Sequence, residues 1–173
     1  MDATAAVLLT IITAATPLLL ASLGELVAER SGVLNLGVEG MMVMGAVAGF
    51  GAGLLSGNPY LGILAAILAG MAMALLFGLL TLTLVTNQVA TGLSLTLLGL
   101  GLSGLLGESF VGEPGVRLPK LLGIDILIPF SFILVAAVSY VLFRTKIGLV
   151  IRAVGDSHAS AHALGYRVGL VRY

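Results

Sequence analysis

Apolar residues along this chain gather into five long stretches separated by short polar breaks. A helix that crosses a bilayer needs about 20 mostly apolar residues, since the hydrocarbon layer is about 30 Å thick. The stretches fall at about residues 5–23 (with Pro17 inside), 34–55, 60–85, 89–106 and 126–143. They predict an all-α fold, a polytopic transmembrane helix bundle with about five spanning helices. The breaks carry turn chemistry: Gly57-Asn58-Pro59 precedes the third stretch, and Thr86-Asn87-Gln88 separates the third from the fourth.

Small residues recur at intervals of four. The third stretch has Gly62, Ala66, Gly70, Ala74 and Gly78, and the second has Gly45, Gly49 and Gly53. In lipid no hydrophobic effect drives helices together, so association relies on van der Waals contact, which small residues permit by letting backbones approach. Both stripes predict tight helix–helix seams. Five helices with such seams, ending at Val171-Arg172-Tyr173 with no closing segment, read as a fragment of a larger bundle. Residues 1–173 are expected to form a single transmembrane permease domain that is C-terminally truncated.

Charge sits between the stretches. Glu25, Glu29 and Arg30 follow the first, and Glu108, Glu113, Arg117, Lys120 and Asp125 lie in the 107–125 connection. Past residue 143 come Arg144, Lys146, Arg152, Arg167 and Arg172 against a single acid, Asp156. Basic flanks stay on the cytoplasmic side, so residues 144–172 are expected to form a cytoplasmic loop, with the N-terminus outside. Met1-Asp2-Ala3-Thr4 lacks the positive start of a signal peptide, so the first stretch is read as a mature span.

Composition sharpens this picture. The chain is 59% hydrophobic and only 9% charged, where a soluble domain carries roughly a quarter charged residues. Lipid is therefore its main solvent. Its formal net charge is zero, which gives no general attraction to nucleic acid. With no cysteine, disulfides and thiolate metal sites are excluded. His158 and His162 share a helix face at metal-ligand spacing, but no third ligand is evident, and no metal is expected.

Candidate chemistry begins at GELVAERSGVLNLGVEGMMVMG, residues 24–45. Asn35 and Glu39 interrupt an apolar run beside Gly32, Gly37 and Gly40. A carboxylate within hydrocarbon costs a few kcal/mol on insertion scales, and glycines permit irregular backbone where it lines a cavity. Two readings stand: a substrate path, or an interfacial helix start with Asn35 as its cap. Asn87-Gln88 offers amides that both donate and accept, which suits purine or sugar groups, although a plain connecting turn has the same residues. In the tail, Gly155-Asp156-Ser157 is a turn-plus-cap pattern in which Asp156 or Ser157 could cap a short Ala-rich helix over 158–164, ended by Gly165. Ala159, Ala161 and Ala163 would let that helix sit close to a partner.

The segment ERSGVLNLGVEGMMVMGA resembles the first signature of the branched-chain amino acid, ribose and nucleoside permease superfamily of ABC importers. It looks most like permeases that work with basic-membrane-protein-type nucleoside-binding lipoproteins. TNQVATGL, residues 86–93, matches the same subfamily. The run from Arg144-Thr145-Lys146-Ile147-Gly148-Leu149 through Arg152-Ala153-Val154-Gly155-Asp156 to Ala163-Leu164-Gly165 resembles its cytoplasmic loop, with Ser157-His158 where the family tends to have Asn-Pro. The resemblance implies a permease subunit of a bacterial-type plasma (inner) membrane importer for nucleosides or simple sugars. It implies three partners besides membrane lipid: an ABC ATPase subunit, a second permease subunit, and an extracellular or periplasmic substrate-binding protein. ATP and magnesium would bind the partner ATPase, since no Walker A run exists here and neither Lys120 nor Lys146 follows a Gly-rich loop. Asn35, Glu39, Gly40, Asn87 and Gln88 would border the substrate path. Gly155, Asp156, Ala161 and Gly165 would serve ATPase coupling.

Two other classes share parts of this pattern. A secondary transporter or channel often buries a titratable relay, for which Glu39 is the only candidate in a span. An intramembrane serine protease would use Gly101-Leu102-Ser103-Gly104, but a serine nucleophile needs a base within reach, and both histidines lie in the tail.

Overall fold

The computed structural model describes residues 3–115, 120–121 and 124–173. Asp2 and Arg117 lie outside the described residues. Helices dominate: α1 (Ala3–Arg30), α2 (Val38–Ser56), α3 (Pro59–Gly78), α4 (Gln88–Gly107), α5 (Leu127–Arg144), α6 (Lys146–Asp156), α7 (His158–Ala163) and α8 (Val168–Arg172). A π turn (Leu79–Thr83) prolongs α3, a 3-10 turn (Glu108–Phe110) prolongs α4, and β1 (Lys120–Leu121) pairs antiparallel with β2 (Ile124–Asp125). Five of the described helices are long and apolar enough to span a membrane. Leu97, Leu105 and Ile133 are 66–71% exposed, as expected of surfaces whose solvent is lipid or another helix.

Two expected boundaries moved. The first helix does not stop at residue 23 but continues through Glu25 and Glu29 to Arg30. Membrane thickness does not end a helix; here a left-handed Gly32 at φ +81° does. The Val33 N–H returns to the Ala28 carbonyl and the Gly32 N–H to that of Glu29, the paired bonds of a Schellman ending. The second helix starts at Val38 rather than 34, because the intervening backbone finds side-chain partners.

Contacts divide the chain into two compact units. The first comprises residues 1–33 and 119–172. In it α1 packs on α5, and α6 folds back along the end of α5. Thr145 makes that reversal: its hydroxyl donates to the Val141 carbonyl at 2.7 Å and accepts from the Gly148 N–H at 3.2 Å. A Cβ on Gly148 would lie 2.2 Å from the Val141 carbonyl oxygen, so only glycine fits. Leu142, Val154 and Ala161 are 0–1% exposed.

The second unit comprises residues 34–118 and Tyr173, with α2 packed against both α3 and α4. On the α3 side the expected seam forms. A Cβ on Gly49 would stand 3.0 Å from the Gly62 carbonyl oxygen and from the Ala66 Cβ, and one on Gly45 would meet the Ala66 carbonyl at 3.3 Å. Only the first half of the stripe meets α2: Gly70 has nothing within 4 Å, Ala74 is exposed, and Gly78 packs instead on the Tyr173 ring, 2.9 Å from where a Cβ would stand.

Candidate functional site: a helix break against α4

Between α1 and α2 the chain abandons helical geometry, and residues 34–37 lie along the start of α4. Backbone polar groups in such a bundle must find partners. Here three side chains supply them. The Leu34 N–H donates to Gln88 Oε1 at 2.8 Å, the Thr96 hydroxyl donates to the Leu36 carbonyl at 3.1 Å, and the Gly37 N–H donates to Asn35 Oδ1 at 2.9 Å. The Asn35 amide also reaches the Met41 sulfur at 3.5 Å.

Glycines allow the approach. A Cβ on Gly92 would come within 2.9 Å of the Leu36 nitrogen, and one on Gly40 within 2.7 Å of the Leu95 carbonyl oxygen. At Gly99 it would fall 2.6 Å from both Cα and carbonyl oxygen of Gly40. Gln88, Gly92, Thr96 and Gly99 are spaced by four, four and three, so one face of α4 carries the whole contact.

The expected path residues therefore divide. Asn35, Gly40 and Gln88 come together at this seam. Glu39 is exposed in the first turn of α2, where the helix dipole favours a carboxylate. Asn87 is exposed and caps α4, its Oδ1 accepting from the Ala90 N–H at 3.1 Å. Gly37, not Asn35, occupies the cap position of α2; Asn35 acts two residues earlier, closing a turn onto Gly37. Thr96, Gly92 and Gly99 were missed. The four-residue spacing from Gln88 was legible, but only the partner's position makes it a site.

Just before this turn, α3 ends abnormally. The Leu84 N–H bonds the Leu79 carbonyl five residues back, and Thr86 donates to the Leu80 carbonyl through both its N–H (3.1 Å) and its hydroxyl (2.8 Å). Val85 sits at φ +53°, a left-handed conformation costly for a β-branched residue.

In the first unit the coupling residues divide: Ala161 is buried and Gly155 half-buried, while Asp156 and Gly165 are exposed. Gly155 packs on the end of α1: its Cβ would lie 2.3 Å from the Arg30 carbonyl oxygen. The Arg172 guanidinium donates to the Gly32 carbonyl at 2.8 Å, completing the α1 terminus. Burial pulls its pKa below the ordinary arginine value, yet a guanidinium remains charged. Ser157, not Asp156, caps α7 by accepting from the Ser160 N–H at 3.3 Å, and Asp156 closes α6. Gly165, at φ +87°, ends α7 as expected, with the Tyr166 N–H returning to the Ala161 carbonyl. Ala161 corrects the expectation most: it is 1% exposed within its own unit, whereas Ala159 and Ala163 face outward.

The protease alternative loses its nucleophile. Ser103 is 7% exposed and its hydroxyl donates to the Leu100 carbonyl in its own helix. Among the described residues no group of three or more His, Cys, Asp or Glu could hold a metal.

The family described as branched-chain amino acid transport system / permease component matches residues 7–173. A putative glucose ABC transporter permease protein of Haloferax volcanii is 41% identical over 92% of this chain and 54% of its own length. A guanosine ABC transporter permease protein of Bacillus subtilis is 31% identical over 92% and 58%. A nucleoside ABC transporter permease protein of Lactococcus lactis is 30% identical over 91% and 58%. The chain thus spans about half the length of the curated relatives it matches. No solved structure matches it.

Proposed function

Because the chain belongs to the branched-chain amino acid transport system permease family, we propose that it forms part of the membrane path of an ABC importer for nucleosides or simple sugars. In this reading a binding protein delivers solute at the outer face. A second permease subunit completes the path, and a separate ATPase, holding ATP and magnesium, drives it from the cytoplasm of a bacterial-type inner membrane.

The observation that carries the reading is the break at residues 34–37. Irregular backbone at such a position is tolerated where it lines a cavity. Nearby stand amides and one carboxylate, from Asn35, Glu39, Asn87 and Gln88. No Lys or Arg occurs between Arg30 and Arg117. Such a set suits a neutral, hydroxyl-rich solute better than an anion. The named relatives carry glucose, guanosine or nucleosides, and all three are of that kind.

Uptake of labelled guanosine and glucose by the complete system tests the reading. Asn35→Asp keeps the acceptor for the Gly37 N–H, exchanges the amide donor for an acceptor and adds a negative charge. Glu39→Gln removes the charge and exchanges one carboxylate oxygen for an amide donor. A lost hydrogen bond to a charged or polar solute amounts to about 1.5 kcal/mol, so each change should lower uptake about tenfold at unchanged expression. Normal uptake by both variants would remove these residues from the path.

The basic tail supports a cytoplasmic location for residues 144–172 in this reading. The chain has no cysteine, so single cysteines report cleanly. With an impermeant thiol reagent on intact cells, Ser56→Cys should label and Ser160→Cys should not; the reverse pattern would invert the topology.

A further inference from the structure

We infer that the start of α6 lies in the inner membrane surface and binds anionic lipid. Within the first unit α6 is strongly amphipathic, and its apolar face is only half covered. Val154 and Gly155, at its C-terminal end, pack on their own unit. Ile147, Val150 and Ile151, spaced by three and one on the same face, instead line an open apolar hollow of about 360 Å³ with Val171. Ile147 is 67% exposed.

Continuity with α5 identifies the occupant. Thr145 is the only residue between the two helices, and α6 folds against Val141 and Leu142. Ile147 therefore continues the exposed surface of Phe132, Ile133, Tyr140 and Phe143 on a helix long and apolar enough to span the membrane. Whatever solvates that surface reaches Ile147. Charge fixes the headgroup class: Arg144 and Lys146 are exposed at this same end, and Arg152 lies over the Phe143 ring at 5.5 Å. The first acid along α6 is Asp156, at its far end. Helices with a basic polar face and an open apolar face lie in the headgroup layer, where an anionic surface attracts each nearby cation. This assignment rests on α5 spanning a membrane and not on which solute is carried.

The test places the full transporter in nanodiscs of phosphatidylcholine with or without phosphatidylglycerol. Single-cysteine Ile147→Cys and Val150→Cys carry a bimane label, and acyl-brominated lipid is the contact quencher. Quenching at both sites should exceed that at Asp156→Cys at least twofold and should be stronger with brominated phosphatidylglycerol. Arg144→Gln with Lys146→Gln should erase the headgroup preference and leave acyl quenching intact. Quenching by aqueous iodide alone, or protection from both quenchers by another protein segment, would overturn the proposal. Equal quenching by the two lipids would overturn its headgroup half. An unsubstituted transporter cross-linked by an acyl-diazirine phosphatidylglycerol gives an independent reading. Label should map to residues 144–151, and its absence there sinks the assignment even if the variants fold poorly.

Discussion

Gly99→Val is expected to break the second unit, and Gly101→Val to leave it intact. Both glycines sit mid-helix in α4, two residues apart, so helix propensity treats them alike. Their neighbours differ. A Cβ at Gly99 falls 2.6 Å from backbone atoms of Gly40, and at Gly101 nothing lies within 4 Å. Backbone cannot rotate away as a side chain can, so α2 and α4 must separate. Overpacking of a tight core costs about 1–3 kcal/mol and sometimes more. Separation would also break the hydrogen bonds from Thr96 to the Leu36 carbonyl and from the Leu34 N–H to Gln88, at about 0.5–1.5 kcal/mol each. The check is thermal unfolding in detergent with the yield of monodisperse protein. Equal melting of the two variants would mean that α2 and α4 do not touch at Gly40.

The second large effect separates two alanines on α7. Ala161→Trp is expected to destabilise the first unit, because Ala161 is 1% exposed and an indole cannot enter without displacing α6 or α8. Ala159→Trp should leave the melting temperature unchanged, because that side chain faces outward. If α7 docks an ATPase, Ala159→Trp should nonetheless abolish ATPase co-purification and solute-stimulated ATP hydrolysis. Normal co-purification by Ala159→Trp would leave α7 a connector. Normal stability of Ala161→Trp would show that α7 does not pack inward.

The coupling residues illustrate why small size in a sequence does not by itself say what a residue touches. Gly155, Ala161 and Gly165 stood out as small residues on a basic segment. Small size has two uses: admitting a partner, or admitting the chain's own backbone. Gly155 against the Arg30 carbonyl and Ala161 in the core of its unit belong to the second kind. The same ambiguity runs through α3, where Gly62 and Ala66 meet α2 while Gly70, in register with them, has nothing within 4 Å and Ala74 is exposed. Asp156 and Ser157 were equivalent as caps in sequence. Only the phase at which α6 ends hands the position to Ser157.

What the sequence determined by itself is the part governed by solvent. Runs of about 20 apolar residues leave a chain no stable home but hydrocarbon, and backbone polarity then demands helices; all five spans followed. The Asn58, Asn87 and Ser157 caps and the Gly57 and Gly165 endings are likewise local, depending on a few bonds within one turn. The tertiary structure decided which small residues touch and where helices truly begin. Residues 34–37 read as helix because they open the second apolar stretch. They are not helical because Gln88, Asn35 and Thr96 satisfy that backbone better than its own turn would, and two of those three lie more than fifty positions away.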